Sequence, residues 1–223
     1  MLLWFFAPLI AQIEKEIMGL FSRLFGSGTP TKVELLPDRI WLTEEAKWNG
    51  IASEVVERAD SGSVAVLLVA QFPTVLTKLQ EIAEQQAGDI PVMAVMASDL
   101  SVDLGRQLTL VESPVIDIIV GERHPLRAHD QQLEQLTDAL PCRSRLAYHL
   151  SLEDPLMKTF AGEWVHQILE QLGMKDDETI ESPLVSRQIA KAQQRIEQNL
   201  CSELEANSSA EWLEKNFRSA DSK

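Results

Sequence analysis

Four charged residues close together, Glu122, Arg123, Arg127 and Asp130, are the first candidates for chemistry in this chain. They follow the apolar run VIDIIVG, which reads as a strand buried on both faces and would carry them to one edge of a sheet. Guanidinium groups beside carboxylates can grip a phosphate-bearing ligand, or they can close a salt-bridge network on themselves. What decides between the two is whether other phosphate-binding elements accompany them. No GxxxxGK[ST] string occurs, so no loop of backbone N–H groups with a lysine behind it is encoded. The nearest string, FGSGTPTK ending at Lys32, has the wrong spacing and follows no strand. The salt-bridge reading is preferred, and residual nucleotide or partner contact through the same four residues stays open.

Other groups carry weaker signals. Glu153 and Asp154 form a carboxylate pair that could do acid–base work. Adjacent acids at a helix start more often satisfy the dipole and the first amides, and that role is preferred. The histidines at 124, 129, 149 and 166 make no HExxH or paired ligand spacing, so structural roles are expected and no metal. Cys142 and Cys201 are far apart and too few for a zinc cluster. A reducing cytoplasm fits them best. Trp41 and Trp164 read as packing residues. No catalytic residue and no cofactor is expected.

The elements that must position these groups alternate between helix and strand. Thr43 is a plausible N-cap, with Glu44 and Glu45 placed for the helix dipole, and the helix should run to about Asp60. Gly62 stops it, and SVAVLLVA follows as a buried strand. Pro73 opens a helix closed near Gly88, and PVMAVMA is the next strand. After a variable loop come VIDIIVG, a helix beginning near Leu126, and a fourth strand in LAYHLS. Such alternation implies a parallel sheet with helices on both faces. Beyond Leu152 only helices are expected, over 153–172 and from 183 towards 206. The second of these stops soon after Gln198, SELEANSSA is a break, and a short last helix lies around EWLEKNFRS.

Composition limits the function. At 223 residues the chain can bury a substantial core, and 45% hydrophobic residues fit a globular protein. A net charge of −14 argues against nucleic-acid binding and against broad attraction to anionic lipid. The opening MLLWFFAPLIAQ is apolar but too short to span a bilayer, and it lacks the positive start of a signal peptide. Translation from Met18 is an alternative beginning. Leu20, Phe21, Leu24 and Phe25 then form an apolar stripe suited to peripheral membrane contact, to docking on the domain or to fraying. GSGTPT at 26–31 is a linker.

Several strings between Val115 and Asn199 resemble a known family. GERH, HLSLED, KTFAGEWV and LGMKDDETIES are similar to motifs of the second nucleotide-binding domain of the preprotein translocase ATPase SecA, running into its helical scaffold. The resemblance covers roughly Leu36 to Asn199. It implies a RecA-like α/β fold of the P-loop NTPase second-domain type over 32–152, after an N-terminal segment of 1–31 and before a helical extension over 153–223. It also implies that Glu122, Arg123, Arg127 and Asp130 stand near an ancestral nucleotide cleft. The family's RGRxGRQGD segment is rewritten, however. Its arginines are replaced by Glu134, Leu136 and Ala139, and its glycines by Gln135, Asp138 and Pro141. Arginines reaching a transferred phosphoryl group contribute about 10³–10⁵ in rate, and neither glutamate nor leucine can donate in their place. The TNMAGRGTD loop of the family is likewise matched by LTLVESPVID, without glycine or arginine. The expectation is a non-catalytic accessory or regulatory module of protein translocation, partnered by SecA or the secretion channel. The alternative is one subunit of a composite ATP-dependent motor whose phosphate-binding half lies on another chain.

Overall fold

The structure, a computed structural model, describes residues 32–86, 88–108, 114–159, 175, 178–181, 183–200 and 202–217. The stripe at Leu20, Phe21, Leu24 and Phe25, most of the helix expected over 153–172, Trp164 and Cys201 lie outside them. Among the described residues no helix is long and apolar enough to cross a membrane.

Six strands form one sheet: β1 (Val33–Leu35), β2 (Arg39–Trp41), β3 (Ala65–Ala70), β4 (Val92–Met96), β5 (Val115–Val120) and β6 (Arg143–Ser151). Their order is β1-β6-β5-β3-β4, with β2 also on β6, and these six strands pair with one another in parallel, while Ile40 of β2 also makes an antiparallel bridge with Ile180. The helices are α1 (Glu44–Asp60), α2 (Pro73–Gln85), α3 (Val102–Leu108), α4 (Arg127–Asp138), α5 (Pro183–Gln198) and α6 (Ser209–Asn216). Side chains of a strand alternate between faces, and β3 shows the result directly. Ala65, Leu67 and Val69 enter one core with Leu133, Ile189 and Trp212, while Val66, Leu68 and Ala70 enter another with Ile51, Val55 and Leu79. All six β3 residues are fully buried, each large one contributing about 1.5–3 kcal/mol. Helices therefore cover both faces, as the α/β pattern requires, and α5 and α6 share the first core with the sheet.

Local signals set the element ends. Thr43 Oγ1 accepts the Ala46 N–H at 3.1 Å, so α1 begins at the expected cap. Ser208 caps α6 in the same way through Glu211 N–H. Glu153 caps a helix, but not its own: its carboxylate accepts the Glu44 N–H at 2.7 Å, at the head of α1. Asp154 accepts from Ser151 N–H and Oγ and pairs with buried Lys47 at 2.7 Å. α1 comes so close to β2 that a Cβ on Gly50 would lie 2.0 Å from the Trp41 ring, which explains a glycine in mid-helix.

Two short strands and one helix go beyond the four-strand expectation. β1 and β2 have three residues each and pair in succession with different parts of β6. Between them Leu36-Pro37-Asp38 interrupts the ladder, since proline offers no N–H. α3 occupies part of the segment read as a loop.

Candidate functional site

The chain reverses direction at β3: β4 is added on one side of it, and β5 on the other. In open parallel sheets the crevice beyond the strand ends at such a switch is where ligands settle. Gln71 and Phe72 leave β3 there, and Gly121 to His124 leave β5. The four charged residues of the sequence reading all hang on this point.

Arg123 is held on two sides. Its Nε and one terminal nitrogen donate to Asp38 Oδ1 at 3.1 and 2.6 Å, and the other donates to Asp130 Oδ2 at 3.0 Å. Its guanidinium carbon lies 3.7 Å from the centre of the Tyr148 ring. Burial works against the charge, but Asp38 and Asp130 outweigh it and raise the Arg123 pKa further. Asp130 also accepts from the His124 N–H at 3.1 Å and from Gln193 on α5 at 2.8 Å. Gln193 donates to the His124 carbonyl as well, at 2.8 Å. Burial pushes the Asp130 carboxyl up, against the pull of Arg123.

The other two members of the quartet behave differently. Glu122 is buried, and its Oε1 has no hydrogen-bond partner among the described residues. Burial, reinforced by Asp154, Asp130 and Glu44 and opposed by Lys47, pushes its carboxyl up to about 8. It is a neutral acid at pH 7. Arg127 is exposed and joins the local structure through its backbone, whose N–H donates to Glu197 at 3.0 Å. The structure thus unites Arg123 with Asp130, adds Asp38 and Gln193, leaves Glu122 uncharged and turns Arg127 to solvent.

This arrangement has a clear chemical consequence. A phosphate approaching Arg123 would have to displace two carboxylates that are already paired and desolvated. The replaced arginine positions offer no substitute. Glu134 is half-buried near Arg123 and Asp130, where burial pushes its carboxyl up. Leu136 packs against the core, and Ala139 ends α4 as its C-cap.

Beside the network opens a cleft of about 1010 Å³, reaching from Phe72 to α4 and the segment before α6. His124 stacks on Phe72 with centres 5.0 Å apart, His129 lies 3.9 Å from it on the other side, and Trp212 meets it edge-on. Glu203 Oε1 accepts from His129 Nε2 at 2.9 Å and from Trp212 Nε1 at 3.2 Å, with His124 Nε2 3.9 Å away. The ligand atoms of His124, His129 and Glu203 lie within 4.8 Å of one another. Two features make this a poor metal centre. His124 Nδ1 accepts the Leu126 N–H at 3.0 Å, so the ring proton sits on Nε2, whereas a metal-bound histidine keeps its proton on the other nitrogen. His129 Nε2 likewise carries the proton it donates to Glu203 Oε1 at 2.9 Å, so that nitrogen has no lone pair to offer an ion.

Sequence reasoning found Arg123 and Asp130 but not Asp38, Gln193 or Glu203. Each meets its partner across 85, 63 and 74 residues respectively, and no local string announces such a pairing. A weak signal was available at Asp38, where Pro37 breaks an edge strand. On the opposite side of β6, His149 donates from Nε2 to Glu54 at 2.7 Å while its Nδ1 accepts from Trp41 at 3.2 Å. This is the structural role expected of that histidine. Burial would raise Glu54, but the His149 hydrogen bond, together with Arg58 and Arg39, holds it at about 2.

Comparison with known proteins agrees with the motif resemblance. The SecA P-loop domain family matches residues 78–177. A protein translocase subunit SecA of Stenotrophomonas maltophilia is 43% identical over 82 residues, covering 37% of this chain and 9% of the relative. The corresponding protein of Xanthomonas campestris pv. campestris (strain B100) is 44% identical over the same length and shares. Among solved structures, the C-terminal part of the Fun30 ATPase domain aligns with a TM-score of 0.35 and 12% identity, over 68% of this chain and 54% of that one. Over residues 78–177 the chain is SecA-like, and it spans about a tenth (9%) of the length of the SecA relatives it matches.

Proposed function

We propose that this chain is a non-catalytic SecA-like interaction module, serving protein translocation as an accessory or regulatory partner. The observation that carries the reading is the closure of Arg123 between Asp38 and Asp130. The cation best placed at the sheet edge is committed to holding the fold together. Glu134, near Arg123 and Asp130, stands where the family has an arginine and supplies no cation to a triphosphate. Translocation enters through the SecA likeness, and a cytoplasmic position at the secretion machinery belongs to the same reading.

Titration of the purified chain with ATP and ADP should give no saturable heat, and phosphate release should stay at the buffer rate. Micromolar nucleotide binding with turnover would sink the proposal. Pull-down against the SecA motor, the channel and ribosomes tests its other half, and failure to enrich any of them counts against a translocation role. A second reading, a composite motor subunit, is favoured by the exposed side chain of Arg127. It requires phosphate release that appears only with a partner chain and disappears in Arg127→Ala.

A further inference from the structure

We propose that the ring N–H groups of His129, Trp212 and His124 form a receptor for a carboxylate on a partner polypeptide, and that Glu203 occupies this receptor from within the chain. Three donors on three different elements aim at one oxygen. His129 stands on α4, Trp212 on α6, and His124 in the turn after β5. Two are in hydrogen-bond contact with Glu203 Oε1, and the third is 3.9 Å from it. The Leu126 N–H on His124 Nδ1 fixes that ring as an Nε2 donor, so it cannot turn into an acceptor towards the cleft. Towards the cleft this ring and the indole present donors alone, which select an acceptor, and the acceptor they hold is the Glu203 carboxylate.

The occupant is a polypeptide segment and not a small acid, for two reasons. A cleft of about 1010 Å³ far exceeds one carboxylate, and Phe72, Leu133 and Leu136 supply apolar wall beside the donors. The present occupant also belongs to a stretch without regular structure, Ser202 to Ala206, that carries the exposed Leu204 beside Glu203. That stretch lines the cleft with Glu203, Glu205 and Ala206, so a carboxylate carried on continuous backbone is what the cleft already accepts. The backbone of the segment is secured by Asn216 of α6, which accepts the Leu204 N–H at 2.7 Å and donates to the Leu204 carbonyl at 2.9 Å. Just beyond it Thr74 donates from its N–H and Oγ1 to the Asn207 carbonyl at 3.1 Å each. The Glu203 side chain has no part in these contacts. Glu203 itself is partly exposed at 38%. It can leave without unpacking the core.

An internal ligand competes at high effective concentration, so a partner sees only the fraction of receptors that are open. The proposal deepens the interaction-module reading, and its test uses this chain alone, so either can fail without the other. The probe is a fluorescein-labelled peptide with the sequence of 202–208, SELEANS, titrated against the full chain. Glu203→Ala should bind it at least about tenfold more tightly than the unsubstituted chain, because the internal competitor is gone. Adding His129→Ala to Glu203→Ala, or changing the glutamate at the Glu203 position of the peptide to alanine, should abolish that gain. If Glu203→Ala loses its cooperative melt, Glu203→Gln, which keeps the shape and drops the charge, takes its place. Equal binding by both chains, or none by either, overturns the proposal. Saturation of the unsubstituted chain by one zinc or nickel ion, lost in His129→Ala, overturns it in favour of a metal site.

Discussion

Arg123 and His124 are consecutive residues, yet they border two unlike regions. On the Arg123 side, Asp38, Asp130, Gln193 and Tyr148 close around the charge, and the guanidinium donates to carboxylates in two directions. On the His124 side, burial drives the imidazole down to about 3, so it stays neutral, and its donor nitrogen faces a solvent-accessible cleft. The closed region shows a charge used as a structural tie between β1–β2, β5, α4 and α5. The open region shows donors held ready by the same tie, since Asp130 anchors the His124 N–H and Gln193 anchors its carbonyl. Closure of the first is what positions the second.

The comparison breaks most visibly at Arg123. Arg123→Ala leaves Asp38 and Asp130 buried without their cation and should cost about 3–5 kcal/mol by urea unfolding. A loss under 1 kcal/mol would mean the network is not structural. Glu122 comes next. Its carboxyl titrates at about 8 when folded, against an ordinary 4.5 when unfolded, so between these values the folded chain holds a proton that the unfolded chain has lost. Stability should fall as pH rises through this window, by at most about 1.4 kcal/mol per pH unit. Glu122→Gln should flatten that slope. Glu54 works in the opposite sense: held at about 2, its contribution is complete above 4.5 and fades as pH falls towards 2.

Gln193→Ala sharpens the link between the two regions. It removes donors to Asp130 and to the His124 carbonyl and should cost about 1–3 kcal/mol. It should also shift the Trp212 indole N–H resonance, because His124 loses its support. An unchanged resonance would separate the regions that the structure joins. The smallest effect belongs to Arg127→Ala, which should stay within about 0.5 kcal/mol in melting experiments because its side chain is exposed and the hydrogen bond it makes to Glu197 uses its backbone N–H.

Much of the architecture was legible along the chain. VAVLLVA and VIDIIVG announce buried strands by unbroken apolarity, and Thr43 and Pro73 announce helix starts by their fit to the first turn. β1 and β2 were not legible, because three residues are too few to show a period and their pairing depends on β6, more than 100 positions away. The site divides in the same way. Arg123 and Asp130 share one turn-and-helix string, while Asp38, Gln193 and Glu203 belong to strings that mean nothing until the fold brings them in. Glu153 is a further case, since its acid was read as capping its own helix but caps α1.

The order of residues alone settled the layered α/β arrangement, the absence of a phosphate loop string and the replacement of arginines by Glu134, Leu136 and Ala139. Those are properties of period and residue type, which a linear string carries in full. Whether Arg123 faces a ligand or is locked between acids, and whether Glu203 floats or fills a ring of N–H donors, was decided in three dimensions. A charge takes its role from its neighbours and its distance from water, and both are assigned by contacts between distant parts of the chain.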